Sequence, residues 1–117
     1  MKRSHTVDLG RIRIGPTHPL TIIAGPCAIE SASHALMLAR ELKMRCDAAG
    51  HPFIFKASFD KANRTSADSF RGHGIAFGLD VLRRVRDEVG VPTTTDVHLP
   101  EHQMYGLVNR AMAPAAR

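Results

Sequence analysis

Leu20-Thr21-Ile22-Ile23-Ala24-Gly25-Pro26-Cys27 sets a short apolar, β-branched run against a Gly-Pro stop. A run of that length, bounded by turn formers, reads as a buried strand followed by a tight turn. Ser31 then stands where a helix N-cap belongs. Behind it Ala32, Ala35, Ala39, Leu42, Cys46 and Ala49 recur at helical spacing and make one apolar stripe. Gly50 occupies the position of a left-handed C-cap, and Phe53-Ile54-Phe55 reads as a second buried strand. Strand, helix and strand within one short stretch is the unit from which parallel sheets are built.

The same alternation continues toward the C-terminus. A polar loop runs from about Ser58 to Gly74. Ile75, Leu79, Leu82, Val85 and Val89 give another amphipathic helix, with charges on its other face and Gly90 at its end. Val91 to Asp96 reads as a third strand, short and rich in Thr. Right-handed crossovers place both helices on one side of a curling sheet. Toward the N-terminus, Val7 to Ile14 reads as a small β-hairpin around Gly10, separated from the rest by Pro16 and Pro19.

Composition narrows the function classes. The 117 residues are 44% hydrophobic and 23% charged, as expected of a globular chain. Lys and Arg total 16 against 11 Asp and Glu, a formal charge of +5. The cations are scattered, in runs no longer than Lys2-Arg3 or Arg83-Arg84, and the aromatics are Tyr105 and five Phe. That supply is poor for stacking bases, so small anions are favoured over nucleic acid as partners. No apolar stretch follows the basic Met1-Lys2-Arg3-Ser4-His5, so no secretory signal is expected. The apolar runs are far shorter than the ~20 residues of a membrane helix. Cys27 and Cys46 alone do not make a disulfide framework, and a cytoplasmic setting is expected.

The chemistry gathers at the strand ends. The first strand runs into Gly25-Pro26-Cys27. The second ends in Lys56 and leads to Asp60, Lys61, Asn63 and Arg64. The third ends in Asp96 and His98. In parallel α/β folds the carboxyl ends of the strands carry the functional groups. Lys56-Ala57-Ser58-Phe59-Asp60-Lys61-Ala62-Asn63-Arg64-Thr65-Ser66 offers three cations, an amide and several hydroxyls. Lys supplies a point charge for phosphate, and Arg a planar fork that matches its oxygens. The same composition also suits a solvated surface loop. Cys27 suits a borderline divalent metal as a thiolate, although a lone Cys is more commonly a small buried hydrophobe. Cys46 lies on a helical apolar stripe and belongs to the core. Asp96 and His98, two apart on an extended strand, point the same way.

Ile23-Ala24-Gly25-Pro26-Cys27-Ala28-Ile29-Glu30-Ser31 resembles the opening strand and turn of the phosphoenolpyruvate-condensing aldolases. The block Lys56 to Arg64, followed by Ser69-Phe70-Arg71-Gly72-His73-Gly74, resembles the signature of the 3-deoxy-D-manno-octulosonate 8-phosphate synthases, and Thr94-Thr95-Asp96-Val97-His98 resembles their third strand. The likeness runs from about Val7 to about His102. It implies a (β/α)8 barrel, of which this chain carries about the first three units, and usually a homotetramer. It implies condensation of phosphoenolpyruvate with D-arabinose 5-phosphate and water, on the way to lipopolysaccharide. Lys56 and Lys61 then correspond to the phosphoenolpyruvate-side lysines, with Lys61 also near the aldehyde. Asn63, Arg64 and Thr65 correspond to sugar-phosphate contacts, where the family usually has Ser at Thr65. Asp96 and His98 line the same site, with Lys61 and Asp96 as the catalytic pair. Cys27 corresponds to the metal ligand of the metal-dependent class.

A barrel of this kind takes ~250 residues. Residues 1–102 are therefore expected to be the N-terminal portion of the synthase domain, and residues 103–117 an unmatched tail left by a frameshift or truncation. On this reading the isolated chain is inactive. Two other readings stay open: a relative of the 3-deoxy-D-arabino-heptulosonate 7-phosphate synthases, which share the Gly-Pro-Cys turn, and a non-catalytic phosphate-binding fragment.

Overall fold

A computed structural model describes residues 5–59 and 74–96 of the chain. Two short strands open it, β1 (Val7–Asp8) and β2 (Arg13–Ile14), paired antiparallel with Val7 opposite Ile14. The expected hairpin is thus present. The body of the fold is a parallel sheet of β3 (Ile22–Ala24), β4 (Phe53–Lys56) and β5 (Thr93–Thr94), in the order β3-β4-β5. Ile22, Ile23 and Ala24 align with Phe53, Ile54 and Phe55, while Phe55 and Lys56 align with Thr93 and Thr94.

Helix α1 (Ala32–Ala49) joins β3 to β4. Its start is fixed by Ser31, whose Oγ accepts the His34 N–H at 3.1 Å. Its end is fixed by Gly50, at φ 79°, where a side chain would be strained. Helix α2 (Ile75–Arg84) precedes β5 and passes without a break into a π-helical turn, Val85–Val89, before Gly90 stops it. Along the exposed flanks, Lys43 with Asp47, Arg45 with Glu41 and Arg84 with Glu88 form i,i+4 ion pairs at 2.6, 2.9 and 2.8 Å. Exposed pairs of this kind add only about 0.3–0.5 kcal/mol each.

Both helices bury their apolar stripes in one core. Ala35, Leu36, Ala39 and Cys46 come from α1, and Leu79, Val81 and Leu82 from α2. Val85 follows from the π turn, and Phe53 and Phe55 come from β4. Residues two apart on a strand share a face, so Phe53 and Phe55 meet edge to face, with centroids 6.4 Å apart. The helices therefore cover the Phe53–Phe55 face of the sheet, and Ile54 and Lys56 belong to the opposite face.

The structure corrects four expectations. Residues 20–24 are not a fully buried strand: β3 is three residues long, Ile23 is 52% exposed and Leu20 68%. Ile22 and Ala24 pack against the core, while Ile23 alternates to the face the helices do not cover. The stretch Val91 to Asp96 forms a strand only at Thr93–Thr94. On α1, Ala49 is exposed at the helix end, and Leu36, absent from the expected stripe, is 5% exposed. The last turn before Gly90 is π rather than α. Among the described residues, no helix is long and apolar enough to cross a membrane.

Candidate functional site

The parallel sheet sends its three strands toward one carboxyl edge. The first delivers Gly25. A β-carbon built there would lie 1.7 Å from the Lys56 carbonyl oxygen and 2.7 Å from the Lys56 carbonyl carbon. Only glycine permits that approach of one backbone to another. The chain then turns through half-buried Pro26 and exposed Cys27 to buried Ala28 and Ile29.

The second strand ends at Lys56. Its side chain is exposed, on the helix-free face, as the alternation from buried Phe55 requires. Beyond it the chain stays tied to both neighbours. The Ala57 N–H donates to the Thr94 carbonyl at 3.3 Å, and the Ser58 carbonyl accepts the Ile29 N–H at 3.0 Å. Ala57, Ser58 and Phe59 are 1%, 2% and 2% exposed. The start of the loop, which its composition left open as a solvated segment, is therefore buried against the other strand ends.

The third strand leads through Thr95 to Asp96, which is partly exposed. The Ser58 hydroxyl donates to Asp96 Oδ1 at 2.6 Å, across 38 residues of sequence. That distance is in the range of a hydroxyl bonded to an ionised carboxylate. Asp96 is thereby tied to the strand that carries Lys56.

Cys27, Lys56 and Asp96 thus lie at the carboxyl ends of the three strands, as their places in the sequence led one to expect. Lys61, Asn63, Arg64, Thr65 and His98 lie outside the described residues. Cys46 is buried in the core at 8% exposure, in keeping with its place on the helical stripe. Sequence reasoning did not single out Ser58. A serine two residues past a strand is an ordinary occurrence, and its partner lies too far along the chain for spacing to reveal.

Cys27 is a free thiol at the surface, which suits it as one donor to a divalent ion. Among the described residues, no three His, Cys, Asp or Glu side chains come together as a metal site. An open groove of about 360 Å³ lies between α1 and the π turn, lined by Arg40, Lys43, Met44, Asp47, Glu88 and Val89. It shares no residue with the strand-end cluster, and its walls carry both signs of charge. At the strand ends, by contrast, polar groups from separate strands meet, Ser58 with Asp96.

The sequence pattern of the DAHP synthetase I family matches residues 3–107. Among curated proteins, the chain is 53% identical over 93 residues to a 2-dehydro-3-deoxyphosphooctonate aldolase of Magnetococcus marinus, covering 80% of this chain and 32% of that protein. It is 56% identical over 87 residues to the protein of that name from Acidithiobacillus ferrooxidans, covering 74% and 31%. With the Thioalkalivibrio sulfidiphilus protein of that name it shares 48% over 111 residues, covering 93% and 40%. The chain spans about a third of the length of the curated relatives it matches.

Proposed function

The chain belongs to the DAHP synthetase I family, and from that premise we propose that it is part of a (β/α)8 barrel enzyme making 3-deoxy-D-manno-octulosonate 8-phosphate. The substrates are phosphoenolpyruvate, D-arabinose 5-phosphate and water, and the second product is phosphate. One observation carries this reading. The strand ends that bear Lys56 and Asp96 meet at one sheet edge, in a chain about half identical to proteins named 2-dehydro-3-deoxyphosphooctonate aldolase.

Both substrates are anions, and the reaction joins them carbon to carbon. The enol carbon of phosphoenolpyruvate attacks the sugar aldehyde, water adds to the neighbouring carbon, and the C–O bond to phosphate then breaks. The chain's part is to bring two like-charged molecules together and hold them in line. Lys56 and Lys61 neutralise phosphoenolpyruvate, and Lys61 also stands by the aldehyde. Asn63, Arg64 and Thr65 grip the sugar phosphate. Asp96, with His98 nearby, accepts hydrogen bonds from sugar hydroxyls or the attacking water. Cys27 is the residue we assign to a divalent metal, which when bound would polarise an oxygen as a Lewis acid. One donor does not make a site, and every step above is carried by other groups. The intact enzyme is proposed to be a cytoplasmic homotetramer.

The family's description favours a second reading in which the product is a seven-carbon sugar acid. The acceptor would then be a four-carbon sugar phosphate. Grafting the chain in place of the matching segment of the Magnetococcus marinus relative separates the two. The expected outcome is phosphate release that requires both phosphoenolpyruvate and D-arabinose 5-phosphate. Release with D-erythrose 4-phosphate instead supports the second reading. A folded graft that releases phosphate with neither sugar, beside an active relative, overturns both. The 117-residue chain alone is expected to show no turnover, since β3 and β5 each pair on one side only among the described residues.

A further inference from the structure

We propose that Gly78 of α2 is a positioning residue for the strand-end site. Its bare backbone seats Phe59, and that seat sets the peptide between Ser58 and Phe59, to which the neighbouring strand ends are tied. This rests on the reading of the strand ends as the place where substrates meet.

A glycine inside a helix is less favourable than an alanine, because it gives up more backbone freedom on folding. Gly78 is buried within α2, and its N–H donates to the Gly74 carbonyl at 3.1 Å. The reason for a glycine at this place is steric. A β-carbon built there would collide with the β-carbon of Phe59 and lie 3.1 Å from the Phe59 α-carbon. Those atoms are backbone and the root of a side chain, not a tip that could swing aside. Either the helix or the chain leaving β4 would have to move. Phe59 takes part in a further interaction, but the collision involves its α and β carbons and stands whatever the ring touches.

What the seat controls lies one peptide back. The Ser58 carbonyl shares a plane with the Phe59 nitrogen and α-carbon, so α2, in placing Phe59, also orients that carbonyl. The carbonyl accepts the Ile29 N–H at 3.0 Å, and Ile29 stands two residues past Cys27, on the chain that leaves β3. The Ser58 hydroxyl donates to Asp96 Oδ1 at 2.6 Å. Ala57, Ser58 and Phe59 are all buried, so a shift of Phe59 is passed to close-packed neighbours. One helix position thereby bears on the end of β4, on the turn that holds Cys27 and on the contact with Asp96.

The test uses the full 117-residue chain labelled with ¹³C and ¹⁵N, as wild type and as Gly78→Ala. Alanine is the better helix former, so a glycine that seats nothing predicts a higher melting temperature for the variant. The seat predicts a lower one, displaced amide signals at Ser58, Phe59 and Ile29, and an increase in hydrogen exchange at Ile29 that exceeds the increase along α1. A raised melting temperature or an unmoved Ile29 amide overturns the proposal. Evenly faster exchange with no excess at Ile29 marks a merely structural glycine and overturns it too. Where Gly78→Ala gives no dispersed spectrum, the wild type is read instead. Cross-relaxation between the Gly78 α protons and the Phe59 β protons, with slow exchange at Ile29, is expected, and the absence of either overturns the proposal. A titration with phosphoenolpyruvate follows. A 1 Å misplacement can cost a reaction about 100-fold, and affinity in Gly78→Ala is expected to fall about tenfold. Unchanged affinity in a variant whose Ile29 amide has moved overturns the proposal. A wild type that ignores phosphoenolpyruvate while Ile29 responds as expected sinks the substrate reading and leaves Gly78 as the seat that places the strand ends.

Discussion

The two faces of the parallel sheet follow different rules. On the helix-covered face, Phe53, Phe55 and Ala57 alternate into a core with α1 and α2, at 4%, 0% and 1% exposure. On the other face Ile23 is half exposed, Ile54 is buried and Lys56 is exposed. The first face is ordinary hydrophobic packing, closed by the chain's own helices. The second carries a cation at its carboxyl end, two residues after a buried isoleucine. Strands of a parallel sheet usually carry apolar residues on both faces because both are covered. A face that is apolar lower down and charged at its upper edge is what a site at the strand ends requires.

The sharpest way to break this contrast is to weaken the covered face. Phe55→Ala should remove about 3–5 kcal/mol, a large part of what a small domain has, and abolish a cooperative thermal transition followed by circular dichroism. Ile23→Ala, at a half-exposed position on the other face, should leave that transition in place. Gly25→Ala acts at the edge where the faces meet. The added methyl would overlap the Lys56 carbonyl, so one strand end must move, at about 1–3 kcal/mol. Backbone amide shifts in the variant should change most around Lys56 and Ala57. If they change elsewhere and not there, the close approach does not set the position of Lys56.

Smaller effects sharpen the comparison. Ile23→Thr should keep the melting temperature within the range of a neutral surface change, about 0.5 kcal/mol, while lowering self-association in sedimentation. A large loss of stability would mean that Ile23, like Ile54 on the same face, is packed against a neighbour. The smallest effect lies in the π turn, on an exposed carboxyl. A hydrogen bond from Arg86 to Asp87, at 2.8 Å, holds the Asp87 carboxyl below its ordinary value of 3.8. A depressed carboxyl contributes stability above its unfolded pKa and loses it as pH falls through the folded value. Arg86→Gln should therefore raise the Asp87 midpoint in a ¹³C titration toward 3.8.

Much of this architecture could be read from the sequence because its signals are local. Ser31 and Gly50 mark both ends of α1 by cap chemistry that acts over three or four residues. Phe53-Ile54-Phe55 needed only its own composition, and Gly90 closed the second helix as expected. The errors came where exposure depends on distant partners. Ile23 reads as apolar and strand-forming, but only the packing of helices on one face decides that it is open. Leu36 falls beside Ala35 on the same face of α1, and a stripe drawn through alanines passed it over. The placing of Cys27, Lys56 and Asp96 at the strand ends was legible because each closes or follows an apolar or Thr-rich run. The Ser58 hydrogen bond was not, because it links residues whose proximity arises only when β4 and β5 pair.

The strands lie side by side in the order in which they are synthesised, β3, then β4, then β5. Among the described residues each pairs with its neighbour along the chain, so pairing can follow the order of synthesis. On the ribosome, β3, α1 and β4 can settle together before β5 has emerged, and β5 then adds to a finished edge. The tie between Ser58 and Asp96 can form only once β5 has joined β4, because it spans the ends of those two strands.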